Sequence, residues 1–184
     1  MAQVRNNIII QGLSGSLGSQ LVIKQDKAGR TIVAVPPTID PNRVYTADEL
    51  VRQEKFRDAA VYAKGAKSQS AYVEKAAGTP LTPYNVAIAD WFHAPEINEI
   101  NIDAWNGGVG QVIRIQAVDD VKVAQVNVVI MDNTNAVLEQ GAAVQAEGAW
   151  WDYITTATAE AGAKIAVTAM DLPGNIGQLE VALV

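Results

Sequence analysis

The pattern of apolar and polar positions changes twice along the 184-residue chain and divides it into three regions. Residues 1–40 combine β-branched residues with glycine, residues 41–93 are rich in alanine and charge, and residues 94–184 alternate apolar and polar positions. Alternation with a period of two is typical of strands that bury one face, whereas apolar residues at helical spacing are typical of amphipathic helices. The sequence therefore predicts a mainly β protein with a small α segment (α+β), in the order β, α, β.

The N-terminal region, residues 1–40, is predicted to hold a β-arm followed by a hairpin. Residues 4–11 are rich in β-branched side chains, which favour a strand. Residues 20–25 and 31–35 flank a turn that contains glycine, which is a hairpin signal. The glycine- and serine-rich residues 12–19 lie between the arm and the hairpin, and we expect them to form a flexible linker.

The middle region is predicted to be a helical segment. Thr46 and Glu49 fit a capping box, in which each side chain accepts a hydrogen bond from a backbone N–H at the start of a helix. This first helix is expected to run to Lys67. A second short helix is expected near residues 70–77, and a third, with proline at its first position, near residues 83–91.

The C-terminal region is predicted to be a seven-stranded β-sandwich of the immunoglobulin-like (Ig-like) type. The candidate strands are residues 99–105, 111–118, 121–131, 136–140, 150–157, 164–170 and 178–184. Turn signals rich in Asp, Asn and Gly separate them. Seven short strands at nearly regular spacing are expected of an Ig-like sandwich.

One segment of this region resembles a known family. Residues 165–175, with the sequence IAVTAMDLPGN, form a strand of alternating small and β-branched residues that ends in an Asp-x-x-Gly-Asn turn. This pattern resembles the penultimate strand and turn of bacterial Ig-like domains, and the resemblance covers about residues 94–184. The front half, with its glycine-rich residues 12–18, is similar to uncharacterised bacterial proteins of phage-related type. The first resemblance implies an Ig-like fold, and neither implies an activity.

The composition argues against an enzyme. The chain has no cysteine and one histidine, His93, which excludes disulfides, thiolate metal sites, cysteine nucleophiles and any mechanism that needs two imidazoles. His93 ends the third predicted helix, where a cation is favourable, and we expect it to interact with the helix C-terminus; Asp90, three residues earlier, also suits a surface pair with it. A formal net charge of −6 without a basic block argues against nucleic-acid binding.

The sequence also bears on membranes and export. No apolar run approaches the roughly 18–20 residues that span a bilayer, so we expect no membrane span. The N-terminus lacks the apolar stretch and cleavage site of a Sec-type signal peptide. The expected location is therefore cytoplasmic, virion-associated or extracellular by a leaderless route.

The acidic turns provide a candidate metal site. In an Ig-like sandwich the loop after the second strand and the loop before the last strand lie at the same end, which would bring Asp119 and Asp120 close to Asp171 and Asn175. Carboxylate and amide oxygens are ligands of Ca²⁺. The alternative is that Asp and Asn simply form turns here and that the chain has no cofactor.

The N-terminal arm and a tryptophan pair indicate contacts between copies of the chain. An apolar strand on a linker is an aggregation hazard unless it is paired, and pairing with a neighbouring copy in an arrangement that does not close gives a filament. The alternative is that the arm folds back onto its own hairpin. Adjacent tryptophans in a strand point to opposite faces, which leaves one for a subunit contact. The predicted assembly contacts are Val4, Ile8, Ile9, Ile10, Trp150 and Trp151.

The leading functional hypothesis is a non-enzymatic structural subunit that assembles with copies of itself into a filament or appendage. One alternative is a structural component of a phage or phage-like particle, such as a tail or capsid-decorating protein. Another is an adhesin-like module that binds a glycan or a protein through its tryptophan-bearing face or its acidic loops.

Overall fold

The computed structural model describes residues 2–4, 12–18, 20–26, 29–38 and 40–183. Within this part, twelve strands form three sheets. In chain order, three helices follow the first sheet and precede the strands of the other two. The strands are β1 (Ala2–Val4), β2 (Gly15–Leu17), β3 (Leu21–Gln25), β4 (Thr31–Ala34), β5 (Glu96–Asn101), β6 (Val112–Val118), β7 (Val123–Met131), β8 (Val137–Ala142), β9 (Val144–Gln145), β10 (Trp150–Ile154), β11 (Lys164–Asp171) and β12 (Ile176–Ala182). The helices are α1 (Ala47–Ala66), α2 (Ser70–Ala76) and α3 (Pro83–Phe92). The predicted mainly β, α+β class is confirmed.

The first sheet is antiparallel and has the order β1-β4-β3-β2. Strand β1 pairs with β4 of its own chain, with Val4 opposite Thr31, which is the fold-back alternative for the arm. The expected arm residues Ile8, Ile9 and Ile10 lie outside the described part of the chain.

The expected flexible linker contains a strand. Three of its residues form β2, which pairs with β3 so that Leu17 lies opposite Leu21. The chain turns between them at Gly18, whose φ of +58° is accessible to glycine at no steric cost. Glycine and serine have low strand propensity, and the pairing with β3 overrides that local preference.

Helices α1 and α3 begin at their predicted capping residues, Thr46 and Thr82. Thr46 Oγ1 accepts a hydrogen bond from the Glu49 N–H at 3.3 Å, and the Glu49 carboxylate accepts one from the Thr46 N–H at 3.0 Å, which is the predicted capping box. Helix α1 packs on α3 through its C-terminal half, where Ala59 and Ala63 are buried. No residue from 47 to 58 is buried, so the first three turns of α1 project from the helical segment.

The C-terminal β-sandwich consists of two four-stranded antiparallel sheets with the orders β5-β6-β10-β9 and β12-β11-β7-β8. Alternate residues of β6, β7 and β11 fill the core between them; Ile115, Val128 and Val167 are examples. The sandwich has eight strands where seven were predicted. The additional strand β9 arises because the chain passes from one sheet to the other at Ala143, whose N–H donates to the Val126 carbonyl at 2.8 Å.

The helices pack on one end of the sandwich. Tyr72, Val86 and other apolar residues of α1, α2 and α3 form a second core, and Val121 and Leu172 pack against it from the turns that follow β6 and β11. This contact places the end of α3 beside two acidic turns of the sandwich. Across the described residues, none of the helices has an apolar stretch long enough to cross a membrane.

Candidate functional site

Three carboxylates from three different elements converge where the helices meet the sandwich. Asp90 lies in the last turn of α3, Asp119 follows β6, and Asp171 ends β11. One carboxylate oxygen of each lies within 4.8 Å of the others. Asp90 and Asp171 are only 1% and 2% exposed, and Asp119 is partly exposed. We call these three residues the carboxylate cluster.

The turn after β11 fixes Asp171. Its Oδ1 accepts hydrogen bonds from the Gly174 N–H at 2.7 Å and the Asn175 N–H at 2.6 Å, and the Asn175 side-chain amide donates to Oδ2 at 2.7 Å. Gly174 has a φ of +97°, which favours glycine at this position of the turn. The Asp-x-x-Gly-Asn sequence therefore holds the Asp171 carboxylate in one orientation.

Asn175 ties this turn to the end of α3. Its side-chain amide nitrogen also lies 3.2 Å from the Asp90 carbonyl, 3.3 Å from the Trp91 carbonyl and 3.0 Å from the His93 carbonyl. The sequence placed Asn175 among four calcium ligands. In the structure its amide nitrogen is a hydrogen-bond donor, and these hydrogen bonds position Asp171 against α3.

Asp119 and Asp120 are neighbours with different surroundings. Asp119 Oδ2 accepts hydrogen bonds from the Val121 and Lys122 N–H groups at 3.0 and 2.8 Å, while its Oδ1 is buried without a hydrogen-bond partner in the described part of the chain. Asp120 turns outward, and its Oδ2 lies 2.5 Å from His93 Nδ1. Of the four predicted ligands, the structure thus brings Asp119 and Asp171 together and places Asp120 on His93.

Asp90 is the ligand candidate that the sequence analysis missed. Its spacing suited a surface pair with His93, but it follows Val86 and Ala87 by four and three residues and shares their buried helix face. The Tyr72 hydroxyl donates to Asp90 Oδ2 at 2.6 Å, and the Tyr62 hydroxyl donates in turn to Tyr72 at 2.6 Å. The position of Asp90 on the apolar face was the signal available in the sequence.

The cluster is negatively charged and uncompensated. No salt bridge between described residues involves any of the three carboxylates. Burial raises the pKa of Asp90 to about 6, the hydrogen bond from Tyr72 opposes this rise, and the charges of Asp119 and Asp171 add to it. Burial likewise raises the pKa of Asp171, against the hydrogen bonds from Asn175 and Gly174. The Asp90 Oδ1 atom is buried and has no hydrogen-bond partner among the residues described.

Asp119 is the partly exposed member of the cluster. This residue lines a surface groove of about 660 Å³ together with residues from the end of α3, the start of β5 and the turn after β6. His93 and Asp120 lie on the same groove. Asp119 is therefore the member of the cluster that borders the groove, whereas Asp90 and Asp171 do not line it.

The residues expected at an assembly interface have separate environments. Trp151 is buried in the sandwich core, whereas Trp150 faces outward and is half buried. The Arg114 guanidinium lies 5.0 Å from the centre of the Trp150 ring, and Arg114 also pairs with Asp152 at 3.2 Å. The two tryptophans thus take opposite faces of β10, as adjacent strand residues do.

Comparisons with known proteins place the chain in no family. No family model matches the sequence, and no curated protein matches it. Similar solved structures include CopC from Methylosinus trichosporium OB3b, with 15% identity over 48% of this chain and 88% of that chain at a TM-score of 0.37. An engineered protein matches with 17% identity over 41% of this chain and 15% of the other at a TM-score of 0.32. A conjugative transposon lipoprotein from Bacteroides eggerthii matches with 13% identity over 47% and 92% at a TM-score of 0.26. At these values the likenesses carry no argument about function.

Proposed function

We propose that this chain is a non-enzymatic structural protein that holds one divalent cation, preferentially Ca²⁺, where its helical segment meets its β-sandwich. The observation that carries the proposal is the carboxylate cluster itself. Two of its oxygens, Asp90 Oδ1 and Asp119 Oδ1, are buried and have no hydrogen-bond partner in the part of the chain described.

The energetics of burial favour a cation at this position. A buried carboxylate without a partner costs several kcal/mol, and the cost grows when a second carboxylate lies nearby. Protonation relieves part of it at Asp90, in agreement with the raised pKa of that residue. A bound cation relieves it for all three carboxylates at once.

The donor set favours a hard cation. All three side chains offer oxygen, and the single histidine of the sequence is held by Asp120. Oxygen-only sites suit Ca²⁺ and Mg²⁺. The oxygens lie within 4.8 Å of one another, a separation that two ligands of one Ca²⁺ ion can span at metal–oxygen distances of about 2.4 Å. Waters from the groove would complete the six to eight ligands that Ca²⁺ takes.

A structural role follows from the position of the cluster. Asp90 belongs to the helical segment, whereas Asp119 and Asp171 belong to the sandwich. A cation bound by all three would fasten one to the other, in addition to the hydrogen bonds of Asn175. The neighbouring His93 and Asp120 form an exposed pair and offer no nucleophile, which supports a binding role over a catalytic one.

Two adjacent residues allow a matched test of the cation site. We expect the full chain, stripped with EGTA, to bind Ca²⁺ with a stoichiometry of one in isothermal titration calorimetry. Asp119→Asn should weaken binding by at least about tenfold, the lower bound for loss of a supporting group at a metal site. Asp120→Asn, the same substitution one residue away, should leave binding unchanged.

Mg²⁺ and Mn²⁺ titrations identify the metal. Tighter binding of Ca²⁺ than of Mg²⁺ supports the assignment to calcium. Absence of binding in the wild-type chain, or equal weakening in Asp119→Asn and Asp120→Asn, would overturn the proposed site.

We also infer that the sandwich is of the Ig-like type. If β5 to β12 are lettered A, B, C, C′, D, E, F and G, the two sheets have the orders A-B-E-D and G-F-C-C′. Ig-like constant-type domains place strands A, B, E and D in one sheet and C, F and G in the other, with the B–C and F–G loops at the same end. Asp119 lies in the B–C loop and Asp171 is the last residue of strand F, next to the F–G loop, which agrees with this assignment.

A second candidate function is self-assembly into a filament or appendage. The observation that favours it is the exposed front half of the chain. The first sheet has only Ile23 and Thr31 buried among its described residues, and residues 47–58 of α1 have none. Val44, Leu50 and Phe56 are exposed apolar side chains that a neighbouring copy could cover.

Sedimentation velocity of the full chain over a wide concentration range, followed by electron microscopy, tests this second function. Polymers that grow with concentration support it. A chain that stays monomeric at every concentration contradicts it.

A further inference from the structure

One edge of the sandwich is incompletely paired. Strand β10 runs to Ile154, but its pairing with β9 covers only Trp151 and Asp152. Tyr153 and Ile154 therefore have no strand opposite them on that side within the described residues. An open edge of this kind presents backbone groups to which a strand of another chain can pair.

An apolar groove of about 510 Å³ runs along this open edge. Ala142, Val144, Ala146, Tyr153 and Ile154 provide most of its lining. Val144 is 72% and Ile154 is 62% exposed, although both are large apolar side chains. Exposed apolar side chains beside an open strand edge are typical of an interaction surface.

The opposite edge of the same sheet is not available in this way. There, β5 lies against β12 of the facing sheet, and a Cβ atom added at Gly177 would be 1.9 Å from the Pro95 carbonyl oxygen. Only glycine fits at such a distance. The two sheets are thus in close contact on the β5 side, and the β10 edge remains the one suited to accept a strand.

The first sheet offers a second open edge. Its outer strand β2 pairs with β3 on one side, and residues 12–18 are all exposed. Leu13 and Leu17 are exposed large apolar residues at this edge, and Leu17 is 61% exposed. Strand β2 therefore has a free edge and exposed leucine side chains, which suit pairing with a strand beside an apolar groove.

Basic and acidic side chains are unevenly distributed along the chain. Residues 1–40 carry four basic and two acidic side chains, whereas residues 94–184 carry three basic and twelve acidic side chains. The N-terminal region of one copy is therefore attracted to the sandwich of another, while two sandwiches repel each other. This complementarity favours a contact between unlike regions of two copies.

We propose that β2 of one copy adds to the open β10 edge of a second copy, with Leu13 and Leu17 against the apolar groove. The contact joins different surfaces of identical chains, so its repetition gives an open, head-to-tail polymer. The inference rests on the self-assembly function proposed above and names the two surfaces that carry it.

Because the chain has no cysteine, single cysteines can report on this contact. Three full-length variants are prepared: Leu17→Cys, Ile154→Cys and, as a control at a 70% exposed position of α1, Val61→Cys. Pairs of variants are mixed and treated with a short bismaleimide cross-linker. We expect at least a fivefold excess of cross-linked dimer in the Leu17→Cys plus Ile154→Cys mixture over either variant alone and over mixtures with Val61→Cys. The yield should fall as NaCl is raised, because salt screens the attraction.

The outcomes separate the inference from the function on which it rests. If the full chain assembles in sedimentation velocity but the Leu17→Cys plus Ile154→Cys mixture shows no excess, the proposed contact is wrong and self-assembly stands. If the chain is monomeric throughout, both are overturned. Loss of assembly in Ile154→Lys, with assembly retained in Val61→Lys, supports the contact independently of cross-linking.

Discussion

At the scale of single residues, the surroundings of an aspartate decide its role. Asp119 and Asp120 are adjacent in the chain, but one faces two other carboxylates and the other forms an exposed pair with His93. Asp90 shares a helix face with alanine and valine and is buried beside Tyr72. Burial and the nearby Asp90 carboxylate raise the pKa of Tyr72, so its hydroxyl stays protonated and donates to Asp90.

The raised pKa of Asp90 predicts an unusual pH dependence in the absence of a cation. The folded chain holds the Asp90 proton up to a pH of about 6, whereas an unfolded aspartate releases it near 3.9. The folded state therefore binds more protons in this window, and the free energy of unfolding should fall as pH rises from about 4 to about 6. A two-unit shift corresponds to on the order of 2–3 kcal/mol.

Urea unfolding in EGTA between pH 4 and pH 7 measures this effect. Asp90→Asn should remove the Asp90 contribution, so the stability of the wild type relative to this variant should decline through the window. Asp58→Asn, at an exposed position of α1, is the matched control and should follow the wild type. A difference between wild type and Asp90→Asn that stays constant with pH would refute the assignment.

At the scale of secondary structure, local signals predicted most elements. The capping box of Thr46 and Glu49, the cap at Thr82 and the alternation along β7 and β11 each identified an element whose local preference agrees with its tertiary packing. Strand β2 was missed because its Gly and Ser residues favour a linker, and β9 because two residues carry no periodicity. Each exists through pairing with the next strand in the chain, β3 for β2 and β10 for β9, and local propensity does not encode this pairing.

Substitution of two glycines by alanine should have opposite effects on stability. Gly65 lies inside α1 with open space around it, so Gly65→Ala should raise the free energy of unfolding by about 0.5–1 kcal/mol through better helix propensity. Gly177→Ala should lower it by about 1–3 kcal/mol or more, because β12 must move away from the Pro95 carbonyl. Thermal unfolding followed by circular dichroism compares the two, and equal effects of the two substitutions would contradict the described contact between β12 and β5.

At the scale of the whole molecule, the fold explains why only part of the site was predictable. In an Ig-like sandwich the loop after the second strand and the loop before the last strand lie at the same end. This rule was sufficient to predict from the sequence that Asp119 and Asp171 are close together. The third carboxylate comes from a helix that packs on that end, and the order of elements alone does not specify such packing. Asn175 was predicted to lie near Asp171. Its contacts with three carbonyls at the end of α3 were not predictable, because they depend on the same packing of the helix.

A cation bound at the carboxylate cluster should also change the overall stability of the fold. A ligand at about 100 times its dissociation constant stabilises the folded state by about 2.7 kcal/mol. For a chain of this size we expect Ca²⁺ to raise the melting temperature by on the order of 5–10 °C. Scanning calorimetry in EGTA and in excess CaCl₂ measures the shift. At the same CaCl₂ concentration Asp119→Asn should reduce the shift by at least about half, because binding is at least about tenfold weaker, and Asp120→Asn should retain it. A shift of the same size in both variants would place the bound ion elsewhere.

One cation held between Asp90, Asp119 and Asp171 would be visible in a crystal structure of the full chain grown with CaCl₂, with anomalous differences recorded at long wavelength. We expect one anomalous peak about 2.3–2.6 Å from an oxygen of each of the three carboxylates. A cluster without a peak, or a peak on Asp120 and His93 instead, would contradict it.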